Sequence, residues 1–260
     1  MRLQHRVWLY RLLLLAAILG LWQVASDRSQ MTRFFFGSPV AVGAQIVHWA
    51  VTGTIYRHLG ITLLETVLAF SIGTALALVI GLWLALDRLW SGVLDPFIKG
   101  VNTMPRLILA PIFSVWFGLG IWSKVALGVT IVFFIVFFNV YQGIKDVSPI
   151  LLANVRMLGA SRAQLIRRLY IPSAMSWVFS SLHLSVGMAF VGVVIGEYLG
   201  SAAGVGYLIL QAESTFEINT VIAGIVVLTA FALLLDSGVT LVESALVGRS
   251  RPRAAEARVA

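Results

Sequence analysis

No cysteine occurs among the 260 residues, so disulfides and thiolate metal sites are excluded and the redox compartment leaves no mark on the sequence. Charge is scarce too. Only 12% of residues are Asp, Glu, Lys or Arg, about half the supply of a soluble domain. A soluble globule of this length needs a charged surface that such a chain cannot provide, so an integral membrane protein is expected, set in a lipid bilayer. Signatures of catalysis are missing as well. There is no Gly-Lys dipeptide, hence no phosphate loop of the G-x-x-x-x-G-K type. His5, His48, His58 and His183 are too scattered for a zinc spacing. No G-x-S-x-G occurs, and no two carboxylates stand close together on one apolar run. The chain is not expected to be an enzyme.

What it has is oil: 59% of residues are hydrophobic. Crossing the hydrocarbon takes about 20 apolar residues. Six segments qualify: 7–25, 59–86, 97–117, 125–144, 173–195 and 218–247. The first follows a basic start, as a signal peptide would, but lacks a convincing cleavage site and is expected to be a retained helix. Glu65 interrupts the second, Pro105, Arg106 and Pro111 the third, and Asp236 and Glu243 the last. The predicted organisation is one all-helical transmembrane domain with its core at about 59–247 and a disordered basic tail at 248–260.

A formal charge of +8 on a soluble chain would suggest nucleic acid; here its placement matters instead, and no nucleic-acid partner is expected. Six spans put both termini on one side of the membrane. With them inside, the inner loops and ends hold fourteen Lys and Arg residues against four outside (Arg28, Arg33, Arg57 and Lys124), which predicts cytoplasmic termini. Pro39 to Thr52 is then a short outer helix, Asp87 to Pro96 a brief inner turn, and Gly196 to Glu217 a glycine-rich outer loop.

The one long inner loop, 146–171, contains "ANVRMLGASRAQLIRRLYIP". Ser148-Pro149 signals a helix start. Gly159 should break that helix near Leu158. Ser161 and Gln164 form a capping box for a second helix, which Pro172 should end near Tyr170. Leu165, Ile166 and Leu169 share one apolar face, with Arg162, Arg167 and Arg168 elsewhere. Such a hairpin could lie among headgroups, be inert, or dock a cytoplasmic partner.

"GASRAQLIRRLYIP" resembles the second half of the signature loop of ABC-importer permeases, Glu-Ala-Ala, three residues, Gly, nine residues, Ile, one residue, Leu-Pro. Gly159 and Leu169-Tyr170-Ile171-Pro172 keep its spacing, while Ala153-Asn154-Val155 replaces Glu-Ala-Ala. "MPRLILAPIFSVWFGLGIWSK" and "GVVIGEYLGSAAGVGYLI" resemble the branch that imports nitrate, taurine and sulfonates. The resemblance implies a type I importer permease of six transmembrane helices in a bacterial cytoplasmic membrane. It implies a second copy of the chain, two ATPase subunits that hold ATP and magnesium, and a periplasmic or lipid-anchored substrate-binding protein. The cargo implied is a small organic or inorganic anion: sulfonate-, nitrate- or taurine-like, or an aromatic carboxylate. It also implies that 146–171 is a coupling loop seated in a groove of the ATPase, with Asn154, Arg156, Gly159, Ala160, Ser161, Gln164, Leu165, Arg168 and Pro172 as its residues.

Within the spans, Asn102, Arg106, Asn139 and Glu65 are candidates to line a path, Arg106 as an attractor of anions. The alternative is structural: a Glu65–Arg106 pair, a snorkelling arginine, and asparagines bonding between helices. Glu197 is expected at the outer interface, as a gate or a solvated helix end. The rival to an ATP-driven permease is a self-sufficient ion-coupled transporter or channel, for which Glu65 is the one candidate coupling carboxylate.

Overall fold

A chain in hydrocarbon must satisfy its backbone polar groups internally, so its apolar runs become helices. The computed structural model describes residues 2–247, and the basic tail expected at 248–260 lies outside them. The helices are α1 (Arg2–Arg28), α2 (Gln30–Phe36), α3 (Pro39–Thr52), α4 (Thr54–Leu86), α5 (Arg88–Asn102), α6 (Leu109–Phe117), α7 (Ile121–Lys145), α8 (Pro149–Met157), α9 (Arg162–Leu165), α10 (Ile171–Leu199), α11 (Val205–Ser214) and α12 (Ile218–Val247). Among the described residues α1, α4, α7, α10 and α12 contain stretches long and apolar enough to cross a membrane. The α2–α3 pair, bent by 42°, is comparable in length and composition alone.

Helix α7 is the centre, packed between α4 and α10. Small residues let the backbones approach: a Cβ added to Gly128 of α7 would lie 2.6 Å from the Cβ of Ala69, and one added to Gly73 of α4 would lie 2.9 Å from the Cβ of Val132. Ala77 and Leu84, then Val132, Val136, Phe137 and Val140, then Ala174 and Ala189 form one core along these three helices. A second core joins Val42 and Trp49 of α3 to Phe190, Val205, Ile209 and Ala223.

Four expectations are corrected. Residues 97–117 are not one continuous helix: the chain leaves α5 at Asn102, passes Thr103 to Pro105, makes a 3-10 turn at Arg106–Ile108 and restarts as α6. Pro105, which offers no N–H, stands at that break in extended backbone. Asp87 to Pro96 is not a turn, because the Asp87 carboxylate accepts from the N–H groups of Leu89 and Trp90 at 3.0 and 3.2 Å and so starts α5 at once. Gly196 to Glu217 is mostly helix, the end of α10 and all of α11. Finally, no helix ends near Tyr170. A π turn at Ile166–Tyr170 carries α9 into α10, and Ile171 is helical at φ −61°, ψ −51°. Pro172 lacks an N–H and crowds the carbonyl four residues back; the wider turn takes up that misfit.

Candidate functional site

The hairpin between α7 and α10 is locked by its own backbone. At the end of α8 the Gly159 N–H donates to Arg156 O at 3.0 Å and the Ala160 N–H to Val155 O at 3.3 Å. These two bonds make a Schellman cap, which needs a left-handed residue, and Gly159 has φ +78°. The capping box then forms: Ser161 Oγ accepts from Gln164 N at 3.3 Å, and Gln164 Oε1 accepts from Ser161 N at 2.8 Å. Ser148 begins α8 with Pro149 in its first turn, but its side chain makes no cap.

Asn154, Arg156, Gly159, Ser161, Gln164, Arg168 and Pro172 are exposed, and Ala160 is half-buried. Leu165 departs from its expected role. It is only 7% exposed and belongs to the protein's interior, so it anchors the hairpin rather than offering an outward face. The outward apolar surface is Met157 and Leu158, each 85% exposed, with Ile150 behind them. The sequence carried that signal, two large apolar residues immediately before the helix-ending glycine.

The opposite end of the bundle holds a buried polar cluster. Glu65 of α4, Lys124 in the first turn of α7 and Glu197 in the last turn of α10 are at most 2% exposed. Lys124 therefore does not belong with the outer loop charges, and Glu197 is not at a solvated surface. The α7 helix begins earlier than its uncharged run, which draws Lys124 against Gly196, where an added Cβ would touch its Cγ at 3.2 Å. Lys124 Nζ donates to Leu119 O at 2.6 Å and Gly120 O at 2.9 Å. Glu65 Oε2 is buried without a hydrogen-bond partner.

Glu197 also organises the chain that follows it. Its Oε1 accepts from Thr62 Oγ1 at 2.6 Å and its Oε2 from Gly206 N at 2.8 Å, in the first turn of α11. Beside it Val205 N donates to Thr62 Oγ1 at 3.2 Å, and His58 Nδ1 lies 3.0 Å from Gly204 O. The glycines at 196, 200 and 204 divide their roles: the first packs on Lys124, the second caps α10, and Gly204 at φ +106° turns the chain into α11 beside the Glu197 carboxyl group.

Arg106 and Glu65 do not pair. One NH2 of Arg106 donates to Asn102 Oδ1 at 2.5 Å and to Asn102 O at 3.3 Å, and its guanidinium carbon lies 4.9 Å over the Phe134 ring. Arg106 Nε is buried with no hydrogen-bond acceptor. Asn102 and Arg106 are thus brought together, whereas Asn139 bonds within its own helix to Ile135 O at 2.8 Å. Among the described residues, no group of three or more His, Asp or Glu side chains is placed to hold a metal ion.

Residues 77–248 match the family model described as the binding-protein-dependent transport system inner membrane component. The chain is 32% identical over 240 residues to the putative aliphatic sulfonates transport permease of Bacillus subtilis (strain 168), covering 92% of this chain and 87% of the relative. It is 26% identical over 237 residues to the taurine transport system permease of Escherichia coli (strain K12), covering 89% and 86%. It is also similar in fold to a chain of a solved amino acid ABC transporter, with a TM-score of 0.63 at 18% identity over 78% of this chain and 97% of the other. An inward-facing methionine ABC transporter gives 0.59 at 15% identity over 76% and 96%.

Proposed function

The chain belongs to the family of inner membrane components of binding-protein-dependent transport systems, and on that basis we propose that it is the permease of an ATP-driven importer. Two copies form the pathway in a bacterial cytoplasmic membrane, with both termini cytoplasmic. Two ATPase subunits bind ATP and magnesium and carry out the hydrolysis, and an extracytoplasmic binding protein delivers the cargo. The relatives named for aliphatic sulfonates and taurine favour a small organic sulfonate.

The observation that carries this reading is the hairpin at Pro149–Leu165. Its Schellman cap and capping box fix its shape without help from other elements, and Met157 and Leu158 stand out from it at 85% exposure. Two large apolar side chains held rigidly at a helix end, among arginines, suit a groove on a soluble partner. Leu165 transmits the load, because it ties that helix end to the interior and the π turn joins it directly to α10. Closure of the ATPase pair would then move α10 and open the pathway outward.

Co-expression with ATPase subunits of this transporter class from the same organism tests the reading. The two should co-purify, and Met157→Asp with Leu158→Asp should abolish the association. Sulfonate uptake that persists without any ATPase would favour an ion-coupled carrier instead.

A further inference from the structure

A third polar feature lies between the two ends. His183 of α10 and Asp236 of α12 face each other across a groove, with Nε2 2.7 Å from Oδ1. Each stands about a dozen residues from the end of its helix nearest the hairpin, roughly 17 Å at 1.5 Å per residue, so the pair lies near the middle of the hydrocarbon. The two side chains are 39% and 60% exposed. Ionisable groups at that depth face protein or water rather than lipid, because lipid contact costs several kcal/mol. The groove holds about 460 Å³, the size of a small-molecule site, and apart from Thr229 its walls are otherwise apolar, among them Leu184, Met188, Val191, Leu233 and Val239. Gly187 leaves it open, since an added Cβ there meets nothing within 4 Å.

We propose that this groove lines the translocation pathway, and that the His183–Asp236 pair contacts the polar end of a small organic molecule whose hydrocarbon lies on the apolar walls. The pair places a histidine ring nitrogen and a carboxylate side by side in the groove. Two polar groups lower the barrier at the bilayer centre, while the apolar walls bind weakly enough for the cargo to leave, which conduction requires. The inference rests on the permease reading and extends it to two residues that no motif marks.

The absence of cysteine allows a direct test in membranes that contain the permease, its ATPase and its binding protein. Gly187→Cys and Ala232→Cys are treated with a water-soluble cationic methanethiosulfonate or with a lipid-soluble maleimide. The expected result is reaction with the water-soluble reagent, slowed by taurine or ethanesulfonate during turnover. His183→Gln and Asp236→Asn should still co-purify with the ATPase but lose sulfonate uptake by about tenfold or more, as loss of a hydrogen bond to a charged group implies. Reaction with the maleimide alone would mean lipid faces the groove, and reaction with neither would mean a second copy is packed there. Either result overturns the inference, as does unprotected labelling together with normal uptake by both variants. If the unsubstituted transporter takes up neither sulfonate, the proposed function fails; if it does and the groove is unreactive, this inference alone fails.

Discussion

The Glu197 carboxylate accepts a hydrogen bond from the Gly206 N–H at 2.8 Å, so the last turn of α10 is tied to the first turn of α11. The positive end of a helix favours an anion there. The same carboxylate takes the Thr62 hydroxyl from α4, so one side chain joins three helices. Replacing it by alanine leaves the buried Gly206 N–H without its acceptor, at about 1–3 kcal/mol, while the Thr62 hydroxyl keeps His58 O at 3.1 Å. Glu197→Ala should therefore lower the unfolding temperature of the detergent-solubilised protein in a size-exclusion melting assay, with Glu197→Gln intermediate. An unshifted Glu197→Ala curve would show that the cluster does not hold α11 in place.

Gly204 and Gly118 both have positive φ, +106° and +75°, but only Gly204 is crowded. Alanine at either site meets backbone strain of about 1–3 kcal/mol. At Gly204 the new Cβ would also overlap the Glu197 carboxyl group and push it off Gly206. Gly204→Ala should thus lower the melting temperature more than Gly118→Ala. Equal shifts would reduce Gly204 to a turn residue.

How much of this could be read from the sequence differs from element to element. The run 218–247 and the helix at Pro39–Thr52 were legible, because composition and a serine-proline start signal a helix locally. The hairpin was legible too, since glycine, serine and glutamine at fixed spacing act through near-neighbour hydrogen bonds. The polar cluster was not. Glu65, Lys124 and Glu197 come from three distant segments, and hydropathy places a lysine at the edge of a run outside the membrane. Whether it turns inward depends on Gly196, more than seventy residues away, leaving room for it. His183 escaped notice because a histidine does not interrupt a count of charges.

Membrane orientation can be read by labelling. Ser161 is exposed at the hairpin and Val51 is 82% exposed at the opposite end of the chain's fold, near the start of α4. With the hairpin cytoplasmic, Val51→Cys should react with an impermeant maleimide in intact spheroplasts and Ser161→Cys only after lysis. The excess of basic residues around the hairpin sets this expectation. Labelling of Ser161→Cys before lysis would invert the topology and remove the ATPase from the hairpin's side.

The hairpin itself separates two effects that a single substitution would confuse. At Gly159 the left-handed backbone at φ +78° is the whole constraint, because an added Cβ would meet nothing within 4 Å. Asparagine tolerates that conformation and valine does not. Gly159→Asn should retain ATPase binding, and Gly159→Val should weaken it while the permease still inserts and melts almost normally. Leu165→Asp acts differently. It places a charge in the interior, so it should lower the melting temperature as well as weaken binding. Met157→Asp should abolish binding with no change in melting, because that side chain is 85% exposed and supports nothing within its own chain. Co-purification of ATPase and melting are measured on the same preparations. Loss of melting temperature in Met157→Asp, or full binding in both Met157→Asp and Gly159→Val, would move the docking surface away from this hairpin.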